Sequence, residues 1–143
     1  MRVVTLINKE LIQKLRSYFQ PQEDVIAVYL FGSTVKGKNR MDSDLDLAVL
    51  FHPTQDKIQC FKAKLAITND LEEIIEKKID IVDIGRADLF FVHQIMKSKL
   101  LIVDKDVHYR VQFEVGYRKN FFDRQKFYRL YQGQALKRLK GRS

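Results

Sequence analysis

The segment that decides the fold reads Phe31-Gly32-Ser33-Thr34-Val35-Lys36-Gly37-Lys38-Asn39-Arg40-Met41-Asp42-Ser43-Asp44-Leu45-Asp46. It follows the apolar run Val25–Phe31 and leads into a second run, which alternates at first and is then continuously apolar as far as Phe51. Short apolar runs that end at glycine or proline are typical of buried strands. The sequence therefore predicts two strands joined by a polar, basic loop.

Two carboxylates stand where the second strand begins. Asp44 and Asp46 are two positions apart, so in an extended chain their side chains point to the same face of a sheet. Carboxylates this close repel each other, and a bound divalent cation offsets the repulsion. Because oxygen ligands favour a hard cation, the pair predicts a Mg²⁺ site that receives a metal-bound triphosphate.

The loop before these carboxylates carries groups that suit phosphate. Gly32 lets the backbone approach a ligand closely, and Ser33 adds a hydroxyl beside exposed N–H groups. Lys36 is one of three basic residues that put positive charge on the loop. A strand, a Gly-Ser turn and an Asp-x-Asp pair together favour a nucleotide site far more than either motif alone.

A third carboxylate would complete a clamp for two metal ions or act as the base for an attacking hydroxyl. The candidates are Asp80 and Asp83, both in the predicted strand Ile79–Ile84. They are three positions apart and so face opposite sides of the sheet, which means that only one of them joins the site. The spacing alone leaves open which one.

The remaining pattern predicts an α/β fold: a small mixed sheet with helices packed on one side of it. Helical spacing before Pro21, over residues 57–76 and over residues 88–97 indicates three helices, and Leu100–Val103 is a further apolar segment. In the second helix we expect one apolar face, formed by Ile58, Phe61, Leu65, Leu71 and Ile75.

The net charge of +8 is concentrated at one end of the chain. Residues 1–104 hold 15 basic and 15 acidic side chains, whereas residues 105–143 hold 11 basic side chains and only three acidic ones. The basic end also carries many aromatics and is predicted to form one or two helices. This asymmetry indicates an acidic protein surface, a nucleic acid or an anionic ligand as the partner of that end.

Several classes of protein are excluded. The longest apolar run has seven residues, too few to cross a bilayer, and the first residues lack the apolar stretch of a secretory signal. A single cysteine, Cys60, excludes a disulfide framework and a Cys-based zinc site. The three histidines show no ligand spacing, and His93 lies among apolar residues that indicate packing. We therefore expect a single-domain cytoplasmic protein.

The quoted segment resembles the signature of a known family. Gly32-Ser33, ten intervening residues and Asp44-x-Asp46 match the pattern of minimal nucleotidyltransferases (MNT domains), which belong to the DNA polymerase beta-like superfamily. The similarity continues through the third strand, Lys78-Ile79-Asp80-Ile81-Val82, and the later part of the chain resembles the MntA-like antitoxins of HEPN/MNT (type VII) toxin–antitoxin systems.

The resemblance implies a polymerase beta-like fold with a nucleotidyltransferase domain over residues 1–105 and a basic helical extension over residues 106–143. It identifies Asp80 as the third carboxylate, so that Asp44, Asp46 and Asp80 are the catalytic residues and bind two Mg²⁺ ions. Nucleotide binding is expected at four loop positions: Gly32, Ser33, Lys36 and Ser43.

The same resemblance implies the activity and the partner. The expected reaction transfers AMP from ATP to a tyrosine of a HEPN (HepT-like) ribonuclease toxin, which is silenced within a hetero-oligomer. Two alternatives remain open from the residues. One is transfer to a small molecule or an RNA end, and the other is a catalytically idle antitoxin or RNA-binding module. Nucleic-acid binding by the basic tail is possible but less favoured than binding to a protein.

Overall fold

The computed structural model describes residues 9–32 and 44–141, which form four helices and four strands. In chain order these are α1 (Lys9–Phe19), β1 (Val25–Phe31), β2 (Leu45–Phe51), α2 (Lys57–Ile75), β3 (Ile79–Asp83), α3 (Leu89–Lys97), β4 (Leu100–Asp104) and α4 (Val107–Gly141). The strands are the apolar runs of the sequence, because only those runs can be buried on both faces of a sheet.

The strands form one mixed sheet in the order β3-β2-β1-β4. The central strand β1 is antiparallel to both of its neighbours, β2 and β4, whereas β3 is parallel to β2. The parallel pair requires a crossover connection, and α2 provides it. This crossover brings the start of β3 beside the start of β2, where the sequence has its carboxylates.

Helices cover both faces of the sheet. On one face α1 and α2 pack over a core that includes Phe19, Leu30, Leu47 and Leu71. On the other face α3 and the first half of α4 pack over a second core around the buried Tyr29. The α/β class and the mixed sheet predicted from the sequence are confirmed, but the expectation of helices on one side is wrong. Strands buried on both faces need a helical layer on each.

The helix α2 buries a different face from the one expected. It begins with a capping box between Asp56 and Gln59 and buries Cys60, Ile67 and Leu71 against the sheet. The predicted apolar face is wrong at its first three members, which are exposed on the outer surface: Ile58 (66%), Phe61 (58%) and Leu65 (50%). Periodicity alone could not choose between two apolar stripes on the same helix.

The basic end of the chain is one long helix, α4. Its first half is fixed to the sheet by a buried polar cluster in which the Tyr29 hydroxyl donates to Glu114 Oε2 over 2.8 Å. Arg110 Nη1 donates to the same oxygen over 3.1 Å, and Arg110 Nε donates to Asp104 over 2.9 Å. Over residues 122–134 and at residues 137 and 138, the side chains of this helix are mostly exposed. No helix in the described part of the chain is long and apolar enough to cross a membrane.

Candidate active site

Two aspartates face each other at one edge of the sheet. Asp46 of β2 and Asp80 of β3 are register partners on parallel strands, which run about 4.8 Å apart. Their sheet neighbours Leu47 and Ile81 are buried against α1 and α2, so both aspartates point to the opposite face, which α3 and α4 cover further along the sheet. Asp44 directly precedes β2 and is exposed.

The electrostatics of Asp46 reflect this arrangement. Its half-buried carboxylate has a pKa raised above the ordinary value, first because burial disfavours the charged form and then because Asp80 and Asp44 add negative charge nearby. No ion pair within residues 9–32 and 44–141 involves any of these three carboxylates. The negative charge of Asp44, Asp46 and Asp80 is therefore not balanced by an ion pair with any described side chain, which suits the binding of a cation.

The glycine before the loop is required by the backbone and by the space around it. Gly32 has φ +84°, in the left-handed region that favours glycine. A Cβ at this position would overlap the carboxylate of Asp46, with Asp46 Cγ only 3.1 Å away. Because Phe31 is the register partner of Asp46, the turn at Gly32 starts immediately beside the carboxylates. The loop thus leaves the sheet at the candidate site.

The other predicted loop residues, Ser33, Lys36 and Ser43, lie outside the described residues, and their roles remain predictions.

The structure separates the two candidates for the third carboxylate. Asp83 is the register partner of Val49 and lies on the α2 side of the sheet, where its Oδ2 is 3.6 Å from Arg86 Nη1. Asp83 also lies against Cys60, whose pKa is raised by burial and by the charge of this aspartate. Asp80 and Asp83 thus lie on opposite faces of the sheet, as their spacing predicts, and Asp80 is the one beside Asp46. Its role at the site remains a prediction.

The oxygen-only set of Asp44, Asp46 and Asp80 is chemically suited to Mg²⁺. Even so, no group of three Asp, Glu, His or Cys side chains among the described residues is drawn together tightly enough to make a finished metal site.

Sequence reasoning missed an aromatic path that leads away from this site. Phe31 contacts Phe91 of α3 at a ring distance of 6.3 Å. The adjacent Phe90 contacts Phe121 at 5.5 Å and Tyr128 at 6.2 Å, both in α4. The pair Phe90-Phe91 in the first turn of α3, after the helix cap Asp88 and Leu89, was the available signal. Which surface the pair would reach depended on contacts far apart in sequence.

His93 was predicted to be a packing residue, and this is confirmed. Its ring stacks on Phe121 at a centroid distance of 3.7 Å, between α3 and α4.

Comparison with known proteins places this site in a family. The family model described as polymerase beta, nucleotidyltransferase, matches residues 13–108. A protein of Methanocaldococcus jannaschii, provisionally named a protein adenylyltransferase, is 28% identical over 74 residues, which are 52% of this chain and 81% of that protein. The protein adenylyltransferase MntA of Shewanella oneidensis is 32% identical over 69 residues, which are 48% of this chain and 47% of that protein.

Among solved structures, a toxin–antitoxin complex with AMP-PNP contains a similar chain. The two superpose with a TM-score of 0.64 at 25% sequence identity, over 83% of this chain and 90% of the other. The family match spans more than half of the chain and includes Gly32, Asp44, Asp46 and Asp80. The chain therefore belongs to the polymerase beta nucleotidyltransferase family.

Proposed function

We propose that this chain is a Mg²⁺-dependent protein adenylyltransferase that transfers AMP from ATP to a tyrosine of a cognate HEPN ribonuclease, and so acts as its antitoxin. The observation that carries the proposal is the facing pair Asp46 and Asp80 beside the positive-φ turn at Gly32. The relatives named adenylyltransferases, and the similar chain of a toxin–antitoxin complex with AMP-PNP, support the same activity. We place the protein in the cytoplasm, in a hetero-oligomer with the toxin.

In this proposal Asp44, Asp46 and Asp80 hold Mg²⁺, and the feature that fits a cation is that none of the three forms an ion pair within residues 9–32 and 44–141. When bound, the metal would neutralise the phosphates and polarise the α-phosphoryl group. Asp80 would in addition accept the proton of the attacking hydroxyl, because it is exposed at the edge where an acceptor arrives.

The proposed reaction is a substitution at the α-phosphorus of ATP. The tyrosine oxygen forms a bond to that phosphorus while the bond to the oxygen bridging the α- and β-phosphates breaks. Pyrophosphate leaves with the bonding electrons, and the hydroxyl proton passes to the carboxylate base. The residues of the site contribute by positioning the reactants and by compensating charge.

The loop after β1 would hold the triphosphate. The positive φ of Gly32 turns the backbone directly beside Asp46, which suits backbone N–H donation to phosphate. Ser33, Lys36 and Ser43 would add a hydroxyl, a cation and a second hydroxyl to the same cradle. Replacing Ser33 would weaken nucleotide use less than replacing an aspartate, because the backbone donors would remain.

Adenylylation would silence a ribonuclease by charge and bulk. The first AMP is joined through its phosphate to the tyrosine oxygen, and any further AMP adds another phosphate to the group already attached. Negative charge beside a ribonuclease site repels the RNA backbone. One or more additions would have the same effect.

The test is intact-mass spectrometry of the HEPN protein after co-expression with this chain. The wild-type chain is expected to add one or more adenylates and to abolish RNase activity, whereas a folded Asp44→Asn/Asp46→Asn variant adds none. Equal silencing by both proteins without added mass would overturn the covalent mechanism in favour of inhibition by binding. AMP transfer to a small molecule or RNA end, with an unmodified HEPN protein, would overturn the proposed acceptor.

A further inference from the structure

We propose that residues 122–138 of α4, called here the distal arm, form the docking surface for the acceptor protein, and that the matching surface of the acceptor is acidic with an apolar groove. This inference rests on the proposed function for the identity of the acceptor. Its physical basis is the position, exposure and charge of the arm itself.

The arm begins on the catalytic face of the sheet. Phe31 is the register partner of Asp46, and its ring contacts Phe91 of α3. The neighbouring Phe90 packs on Phe121 and Tyr128, the second of which already belongs to the arm. A partner bound to the arm would therefore lie next to the aromatic residues of α3, one of which, Phe91, contacts Phe31 beside the carboxylates. A tyrosine of that partner could reach the reacting phosphate without a second binding site.

The arm exposes side chains that a helix in water normally buries. Phe127, Leu130 and Tyr131 follow the i, i+3, i+4 spacing of one helix face and are 67%, 62% and 64% exposed. Phe122, exposed at 70%, and Tyr128, exposed at 51%, extend the apolar area to the sides. Clusters of exposed large apolar groups mark interaction sites, and this spacing is the one that helices use when they bind in a groove.

Charge defines the chemistry of the occupant. The arm has five Lys and Arg side chains and one acid, Asp123. None of the ion pairs in the described parts of the chain involves a residue beyond Glu114. Such uncompensated positive charge selects a negative partner surface and accelerates its association.

A second copy of this chain is a poor occupant. Residues 1–104 are formally neutral, with 15 basic and 15 acidic side chains, so the body of a second copy provides no net negative charge to attract the arm. Its own arm carries the same positive charge and would be repelled.

The geometry also favours a protein over RNA. Single-stranded RNA is bound in positively charged grooves where successive bases stack on aromatic side chains. The arm is instead a convex helix whose apolar residues form one ridge, Phe127, Leu130 and Tyr131. A ridge of this form fits a groove on a folded partner.

The test compares three triple variants for binding to the HEPN protein by calorimetry. The apolar variant is Phe127→Ala/Leu130→Ala/Tyr131→Ala, and the charge variant is Arg124→Glu/Lys126→Glu/Arg129→Glu. The matched control is Ile58→Ala/Phe61→Ala/Leu65→Ala, which removes an equally exposed stripe from α2 on the other side of the sheet. Thermal unfolding verifies that each variant is folded.

Both arm variants are expected to raise the Kd for the HEPN protein by at least about tenfold, since exposed aromatic and arginine anchors dominate such interfaces. When the salt concentration is raised, the affinity of the charge variant for the HEPN protein should fall less than that of the wild type. The reason is that salt screens the electrostatic attraction, which the variant has already lost. The control variant should bind as the wild type does. In the transfer reaction the arm variants should raise KM for the partner and leave kcat at saturating partner unchanged.

Three results would overturn the docking proposal. These are unchanged affinity of both arm variants, weakening of binding by the α2 control alone, or tight salt-sensitive binding of a single-stranded RNA oligonucleotide that the arm variants abolish while HEPN affinity stays the same. Arm-dependent HEPN binding by a wild-type chain that adds no AMP would support the docking surface and contradict the proposed function, so the two can fail separately.

Discussion

Asp46 and Asp80 lie directly opposite each other on neighbouring parallel strands, although 33 residues separate them in the sequence. The crossover through α2 creates this relationship, because only a parallel β2–β3 pair brings both strand beginnings to one edge. The fold therefore holds together like charges that would separate in an unfolded chain. We expect this repulsion to lower the stability of the protein in the absence of a cation.

The first prediction concerns this trade-off between stability and activity. Asp46→Asn should reduce AMP transfer at least about 100-fold, because the change removes a carboxylate that would bind the metal. Charge stabilisation by a bound metal contributes several kcal/mol to the transition state. The same change should stabilise the metal-free protein by up to about 1 kcal/mol, since repulsion from Asp80 and Asp44 disappears. Thermal unfolding in a chelator and a transfer assay measure the two effects. A destabilised Asp46→Asn variant would contradict the account of the site.

Magnesium should reverse that order of stability. Mg²⁺ with a non-hydrolysable ATP analogue should raise the Tm of the wild-type protein and have little effect on Asp46→Asn, because ligand binding stabilises only a fold that binds it. Calcium with the same analogue tests the specificity for a small, hard cation. Equal shifts of Tm in the wild type and the variant would show that Asp46 does not hold the metal.

The third carboxylate is tested by a matched pair on one strand. Asp80→Asn should abolish transfer, because Asp80 faces Asp46 across the strands. Asp83→Asn should retain transfer, because Asp83 lies on the opposite face in an ion pair with Arg86. Both changes remove one negative charge from β3, on opposite faces of the sheet. Loss of transfer in both variants would contradict the inference that only the aspartate on the same face as Asp46 takes part in the reaction.

The faces of the strands could be predicted from the sequence because the side-chain period of a strand is strictly two. That rule placed Asp44 and Asp46 together and separated Asp80 from Asp83 before any contact was known. Choosing Asp80 required the family resemblance, since spacing alone treats the two aspartates equally.

The layers and surfaces could not be predicted in the same way. Whether helices cover one face or both depends on the path of each connection, and the sequence pattern of α2 offered two apolar stripes. The contacts Phe31–Phe91 and Phe90–Tyr128 join residues from three elements, so no local pattern contains them. These surfaces are products of tertiary packing, which periodicity does not encode.

The turn at the site gives a further prediction. Gly32→Ala should reduce transfer strongly, because a Cβ would displace the Asp46 carboxylate and the positive φ would be strained by about 1–2 kcal/mol. Gly85→Ala is the control, since a Cβ there would lie at an ordinary contact distance of 3.7 Å from Asp83 Oδ1 and Leu50 Cδ1, and transfer should persist. The assay reports kcat for both variants alongside the free energy of unfolding. An active Gly32→Ala variant would show that the reaction does not require the Gly32 backbone to lie so close to the Asp46 carboxylate.

The attachment of α4 to the sheet depends on a buried glutamate. Glu114 is 7% exposed and accepts hydrogen bonds from Tyr29 and Arg110, with Lys99 Nζ 3.5 Å away. Burial opposes its ionisation, but these hydrogen bonds and the positive charges outweigh burial and lower its pKa. The attachment of the first half of α4 to the sheet therefore depends on an ionised Glu114. The direction of the distal arm, which continues the same helix, depends on that attachment.

A pKa lowered by folding makes stability depend on pH in a defined direction. The contribution of Glu114 is complete above its unfolded pKa of about 4.3 and is lost as the pH falls through the lower folded value. Glu114→Gln should therefore cost about 1–3 kcal/mol of unfolding free energy at pH 7, and the difference from the wild type should shrink at pH 3. Urea denaturation at both pH values measures it, with the exposed Glu73→Gln as a control that should change neither. A cost for Glu114→Gln that is the same at both pH values would mean that packing, and not charge, fixes α4 to the sheet.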